Sequence, residues 1–271
     1  MNYWGINKLN TFEEFSRFQG NILANLKILK KLNLLKIKEY LTDEEYETLQ
    51  KTYETALVDA RAMKDFLNKL GKQQSEIIIQ RSIALHALGV EKQYLKNLFS
   101  YNEIPRDSFV YILRKINRQM ERLSAKSQLK NENEKNEIDI FQKMTTNTTK
   151  THFSDLYIRA RTQAIITRKV IKDILQVREL DCGFPQKYYD SILEIYTSFQ
   201  AQANEQKEKI FQVHKVEISV LEAKLTEKSL LKAEENFIKD LYQKEIITPK
   251  LYANFIDAIE NGIQKDVKTI G

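Results

Sequence analysis

The chain has 271 residues, 42% of them hydrophobic, enough for a sizeable core in one large domain or two of ordinary size. Only 7 Gly and 3 Pro punctuate it, too few for the turns of a many-stranded sheet, so long helices are expected. Its 43 Lys and Arg against 37 Asp and Glu leave a formal net charge of +6 with the two signs interleaved, the pattern of solvated helix faces.

Thr11-Phe-Glu-Glu14 reads as a capping box opening a helix with Phe15, Phe18, Ile22, Leu26 and Leu29 at helical spacing, fading near Glu39. Thr42-Asp-Glu-Glu45 is a second capping box, opening a helix through Tyr46, Leu49, Tyr53 and Leu57 to Leu70, with Gly71 as its end signal. A third helix is expected from about Ser75 through Ile78, Ile79, Ile83 and Leu88 to Phe99, with Gly89 a candidate bend. Pro105 suits the first turn of a fourth, whose stripe is Phe109, Ile112, Leu113, Ile116, Met120 and Leu123.

From about Ser124 to Lys150 little is apolar, and the stretch reads as a linker with Ile138, Ile140 and Phe141 as a docking turn. Ser154 is the expected cap of a helix through Tyr157, Ala160, Ala164, Ile165, Ile171 and Leu175. Gly183-Phe-Pro185 ends that helix. From Tyr188 a helical pattern runs without Gly or Pro to Pro249, as one long helix or as two with a junction near Gln212–Val216. Thr248-Pro249 opens the last helix, whose inner stripe is Tyr252, Phe255, Ile256, Ile259 and Ile263.

The second half restates the first at a constant spacing of 143. Ile28, Leu32, Tyr46, Tyr53, Glu91, Lys96, Leu98, Ile104 and Ile116 return as Ile171, Leu175, Tyr189, Tyr196, Glu234, Lys239, Leu241, Ile247 and Ile259. Tyr94, Phe99, Phe109 and Met120 keep their character in Phe237, Tyr242, Tyr252 and Ile263. Such a repeat points to an all-α fold of two tandem helical-hairpin units. The expected division is 1–127 for the first unit, 128–150 for the linker and 151–271 for the second. The repeat-matched aromatics Tyr94, Phe99, Phe109, Phe237, Tyr242 and Tyr252 are expected in the core.

Signals for chemistry are sparse. The three histidines, His86, His152 and His214, stand in no metal-binding spacing, and the one cysteine, Cys182, is too few for a structural zinc site or an intrachain disulfide. Seven scattered glycines build no phosphate cradle, and no nucleophile motif is present. Neither catalysis nor a cofactor is therefore expected. A basic cluster of Lys27, Lys30 and Lys31, continued by Lys36 and Lys38, is the one candidate contact surface, suited to lipid head groups or an acidic partner. Nucleic acid is disfavoured because the other basic residues are dispersed. No apolar run approaches the roughly 20 residues of a membrane span. The opening Met-Asn-Tyr-Trp-Gly-Ile lacks the parts of a signal peptide, so a reducing cytosol is the expected location.

The stretch Leu98-Phe-Ser-Tyr-Asn-Glu-Ile104-Pro-Arg-Asp-Ser-Phe109, its partner Leu241-Tyr-Gln-Lys-Glu-Ile-Ile247-Thr-Pro-Lys-Leu-Tyr252, and Leu41-Thr-Asp-Glu-Glu-Tyr46 share a cadence of leucine, polar turn, aliphatic residue and aromatic. This cadence resembles helical hairpins in the cytoplasmic C-terminal regions of bacterial monovalent cation:proton (sodium/proton) antiporters. Tyr157-Ile-Arg-Ala-Arg161, continued through Ala164 to Leu175, resembles a helix early in such tails. The resemblance implies a non-catalytic regulatory module on the cytosolic face of a membrane. Its partner would be a protein or the adjacent membrane domain, with a second copy of the chain or the membrane surface as further contacts. The alternative is a free-standing helical protein that binds a partner through a groove between its halves.

Overall fold

The computed structural model of the chain describes residues 4–55, 58–125, 152–180 and 184–268. Within them the fold is all-α: nine helices and no strand. They are α1 (Trp4–Ile37), α2 (Asp43–Thr55), α3 (Val58–Leu70), α4 (Lys72–Ser100) and α5 (Arg106–Ala125), then α6 (Phe153–Glu179), α7 (Gln186–Val213), α8 (Lys215–Gln243) and α9 (Pro249–Lys268). The linker with Ile138, Ile140 and Phe141, and Cys182, lie outside the described residues.

Helix ends follow local chemistry where the sequence signal was strong. At the head of α2 the Thr42 N–H and hydroxyl both donate to the Glu45 carboxylate, while the Glu45 N–H donates back to Thr42 Oγ1. The box satisfies donors that a helix start leaves unpaired. Thr48 and Thr52 turn their hydroxyls onto backbone carbonyls one helical turn earlier. Pro249 is the first residue of α9, where its missing N–H costs nothing.

Two expected starts are corrected. Thr11 lies inside α1, which begins at Trp4, because no proline or other stop separates the residues before Thr11 from the periodic stripe that follows. Ser154 lies within the first turn of α6. His152 sits at the head instead, its carbonyl accepting from the Asp155 and Leu156 N–H groups.

The helix bounds recur at the spacing seen in the sequence. α4 and α5 span Lys72–Ser100 and Arg106–Ala125; α8 and α9 span Lys215–Gln243 and Pro249–Lys268. The corners recur as well. In the first, the Asn102 and Glu103 N–H groups donate to the Phe99 and Leu98 carbonyls. In the second, those of Glu245 and Ile246 donate to Tyr242 and Leu241. Both corners put a non-glycine residue at positive φ, Asn102 at 55° and Glu245 at 57°, the left-handed cap of a helix end. Both stack an aromatic pair across the turn: Phe99 with Phe109 at 4.3 Å between centroids, and Tyr242 with Tyr252 at 4.6 Å. The long pattern from Tyr188 divides into α7 and α8 at His214, the counterpart of Gly71. Gly71 makes its break at φ 80° and His214 at φ −124°.

Two compact units are present, each assembled from separated stretches of chain. One comprises Met1–Glu91, Lys115–Asn147 and Thr167–Gln200; the other Lys92–Arg114, Thr148–Ile166 and Ala201–Gly271. This division describes spatial clustering, whereas 1–127 and 151–271 mark recurrence along the chain. In the first unit the core gathers Phe15, Ile22 and Leu32 of α1, Ile83 and Leu88 of α4, Val170 and Ile174 of α6, and Tyr196 of α7. Phe15 stacks on Phe184, which precedes α7, at 5.6 Å between centroids. In the second unit Ile112, Tyr157, Ile158, Ile166, Ile218 and Ile238 are buried.

The six repeat-matched aromatics are not core. Phe99, Phe237 and Tyr242 are exposed, and Tyr94, Phe109 and Tyr252 are half-buried. Helical period reported their common face correctly, but four of them sit at corners, where a helix end has solvent on several sides and ring stacks on ring. Phe255, expected on the inner stripe of α9, is also exposed.

Candidate interaction surface

The polar groups with the most chemistry in them are locally engaged. His86 Nε2 lies 3.0 Å from Asp173 Oδ1, and that hydrogen bond, helped by the Lys27 charge, holds the Asp173 carboxyl below its usual range. His152 Nδ1 lies 2.7 Å from Ser154 Oγ, and the His214 ring stacks on Phe153 at 4.0 Å between centroids. Among the described residues no three His, Cys, Asp or Glu side chains converge on a metal-sized site. Tyr157 is buried and donates to the Glu222 carboxylate, while Arg159 lies 3.9 Å over the Tyr111 ring. Both are packing contacts within the second unit.

One buried cluster stands out in the first unit. Glu91 of α4 is buried with Leu88 and Leu95, each one turn away on the same helix and fully enclosed. Burial lifts the Glu91 carboxyl to about 7, against the lowering influence of the neighbouring Tyr196 hydroxyl and the charge of Lys115. The same burial pushes the Tyr196 hydroxyl up and the Lys115 ammonium down. This cluster can take or release a proton near neutrality. It also pins α4 to α7 through a polar contact that has one correct register.

A different feature reaches solvent. On α8 and α9, Leu230, Phe237, Leu251 and Phe255 are 66%, 60%, 46% and 42% exposed, with Val216 and Val220 continuing the α8 stripe. At a spacing of 143, the counterparts of Leu230, Leu251 and Phe255 are Ala87, Ser108 and Ile112 of α4 and α5, which are 0%, 0% and 3% exposed. Positions that are enclosed in α4 and α5 are thus open in α8 and α9, and carry larger apolar side chains there. The inner sides of α8 and α9 rest on Ile218, Leu225, Ile238 and Ile259. Several large apolar side chains gathered on one helix pair form a patch, unlike scattered exposed residues, which need no explanation.

The lysines Lys27, Lys30 and Lys31 are all exposed and, at helical spacing, share one side of α1 with Leu34. Lys36 turns away from this group: its ammonium lies 2.7 Å from Asp43 and 4.3 Å from the Tyr46 ring centroid. The α6 counterparts of Lys27, Lys30 and Lys31 are Val170, Asp173 and Ile174, of which Val170 and Ile174 are buried. Enclosed apolar positions of α6, Val170 and Ile174, thus correspond to exposed lysines, Lys27 and Lys31, in α1.

The open apolar face of α8 and α9 was missed at the sequence level. The signal was there in the repeat: pairing Ala87 with Leu230 and Ser108 with Leu251 sets a small buried residue against a larger apolar one. Comparison with protein-family models, with curated proteins and with solved structures finds no match to this chain. Among the described residues no helix is long and apolar enough to cross a membrane.

Proposed function

We propose that the chain is a non-catalytic interaction scaffold made of two copies of one helical unit. Its α8–α9 face docks a protein partner, in the manner of the cytoplasmic regulatory tails of sodium/proton antiporters. The observation that carries the reading is the exposure of Leu230, Leu251 and Phe255 at positions whose counterparts are enclosed. Side chains of this size held in water forgo about 1.5–3 kcal/mol each relative to burial, so a cover over them would be favourable. The corner recurrence at Asn102 and Glu245 supports common descent of the two units. Regulation would follow if a partner covered this face differently in two states, since only differential contact shifts an equilibrium.

The test is the quadruple variant Leu230→Gln, Phe237→Gln, Leu251→Gln and Phe255→Gln. Helicity and thermal midpoint should stay near those of the parent chain while binding of a hydrophobic dye is lost. A collapse of the midpoint would show that these side chains hold the fold, and would end the reading. The antiporter form of it predicts that the parent chain, and not the variant, floats with liposomes containing a sodium/proton antiporter from the same source. Equal flotation with empty liposomes would overturn that form.

A further inference from the structure

The internal packing of the chain suggests what covers the open face. Helices that follow α4 lie against it: Glu91 is buried beside Tyr196 of α7, and His86 Nε2 lies 3.0 Å from Asp173 Oδ1 of α6. Moved by the repeat spacing, Ala87 and Glu91 become Leu230 and Glu234, and the enclosed Ser108 and Ile112 become Leu251 and Phe255. The covering residues become Tyr53 of α2, for Tyr196, and Lys27, Lys30 and Lys31 of α1, for Val170, Asp173 and Ile174. Glu234 is exposed, Tyr53 is half-buried and the three lysines are exposed. Both residues of the buried Glu–Tyr pair are thus kept, as Glu234 on α8 and Tyr53 on α2. The molecule carries separately the two halves of a junction that it makes once within itself.

Charge selects how the halves meet. Along the α8 stripe of Val216, Val220, Glu227, Leu230, Glu234 and Phe237 the only charges are two acids. Along the α1 stripe of Lys27, Lys30, Lys31 and Leu34 the only charges are bases, of which Lys27 already feels the Asp173 carboxylate of α6. Pairing two α8–α9 faces back to back would bring Glu227 and Glu234 into an interface crowded with their own kind. Pairing α8–α9 with α1 sets acid against base around an apolar centre.

We propose that the chain associates head to tail with a second copy of itself, the α8–α9 face of one molecule taking the α1–α2 side of the next. Glu234 then meets Tyr53 of the next copy, and Glu227 and Glu234 stand among its lysines. This rests on the scaffold reading above and names the partner. Such a contact uses two different surfaces, so it continues past a pair into a closed ring or an open filament.

Sedimentation velocity on the purified chain, from micromolar to submillimolar concentration, reads the outcome. Mean mass should climb past that of a dimer with concentration, and fall back at about 0.5 M salt, where charges are screened within a few ångströms. Lys30→Glu with Lys31→Glu, and separately Glu227→Lys with Glu234→Lys, should each weaken association at least tenfold while leaving helicity intact. An equimolar mixture of the two double variants should assemble again, because each then supplies the complement of the other. A chain that stays monomeric throughout overturns the proposal. So does a species that stops at two subunits and ignores Lys30→Glu with Lys31→Glu, which would mean back-to-back pairing. Either result leaves the dye-binding and midpoint test of the scaffold reading standing, so the two failures are told apart.

Discussion

At the corner of α4 and α5, and again at the corner of α8 and α9, the same backbone groups bond and the same two positions stack their rings. Along the helices that flank those corners the side chains part company. Ala87, Ser108 and Ile112 are sealed, while their counterparts Leu230, Leu251 and Phe255 face water. Local sequence sets the corner, since capping bonds and a positive-φ residue act within a few positions. Burial is set by what arrives later in the chain, and α4 and α5 have α6 and α7 to receive. Like corners therefore do not imply like surroundings.

The sharpest way to break this contrast is to cut the same amount of side chain from both hairpins. Leu95→Ala removes a fully enclosed side chain and should cost about 2–5 kcal/mol by urea denaturation. Leu230→Ala, from the open face, should change stability by less than about 0.5 kcal/mol. Equal losses would mean that the two hairpins are covered alike.

Glu91 and Glu234 sharpen it next. The folded-state carboxyl of Glu91 sits near 7 against an ordinary 4.5, so the native chain holds that proton more tightly than the unfolded one. Its contribution is intact below about pH 4.5 and is lost as pH rises through 7, a penalty of about 3 kcal/mol when complete. Glu91→Gln should therefore be more stable than the parent at about pH 8, by up to that amount, and no better at about pH 4.5. Glu234→Gln, at the exposed counterpart, should show no such gain. Thermal midpoints across this pH range decide it.

The corners themselves carry the smallest expected effect. Glu245 holds φ 57° with a β-carbon in place, and Glu245→Gly should raise stability by about 0.5–1 kcal/mol. Asn102→Gly should gain less, because asparagine tolerates that region better. A loss at either position would show that its side chain does more than endure the turn.

Much of this architecture could be read from residues alone. The capping box at Thr42, the break near His214 and the final helix at Pro249 each follow from chemistry a few positions wide. What escaped was everything that depends on distant partners. Thr11 looks like a helix start, but a cap motif cannot report that the helix has already begun. Phe237 and Phe255 keep the helical period of a core stripe, and the period is silent on whether anything lies opposite. Glu91 was visible as a repeat-matched acid between Leu88 and Leu95, yet only packing shows it buried against Tyr196. Lys27, Lys30 and Lys31 were legible as a basic cluster, and the structure sets them on one open side of α1.

Among the described residues the enclosed side chains beneath α8 and α9 are Ile218, Leu225, Ile238 and Ile259, and this has a bearing on how the molecule breathes. So few anchors make this hairpin the segment whose amides should exchange with solvent earliest, through openings that leave α4 and α5 untouched. A partner that clamps it would slow that exchange, and protection would then spread to the very amides that were quickest to trade their hydrogens.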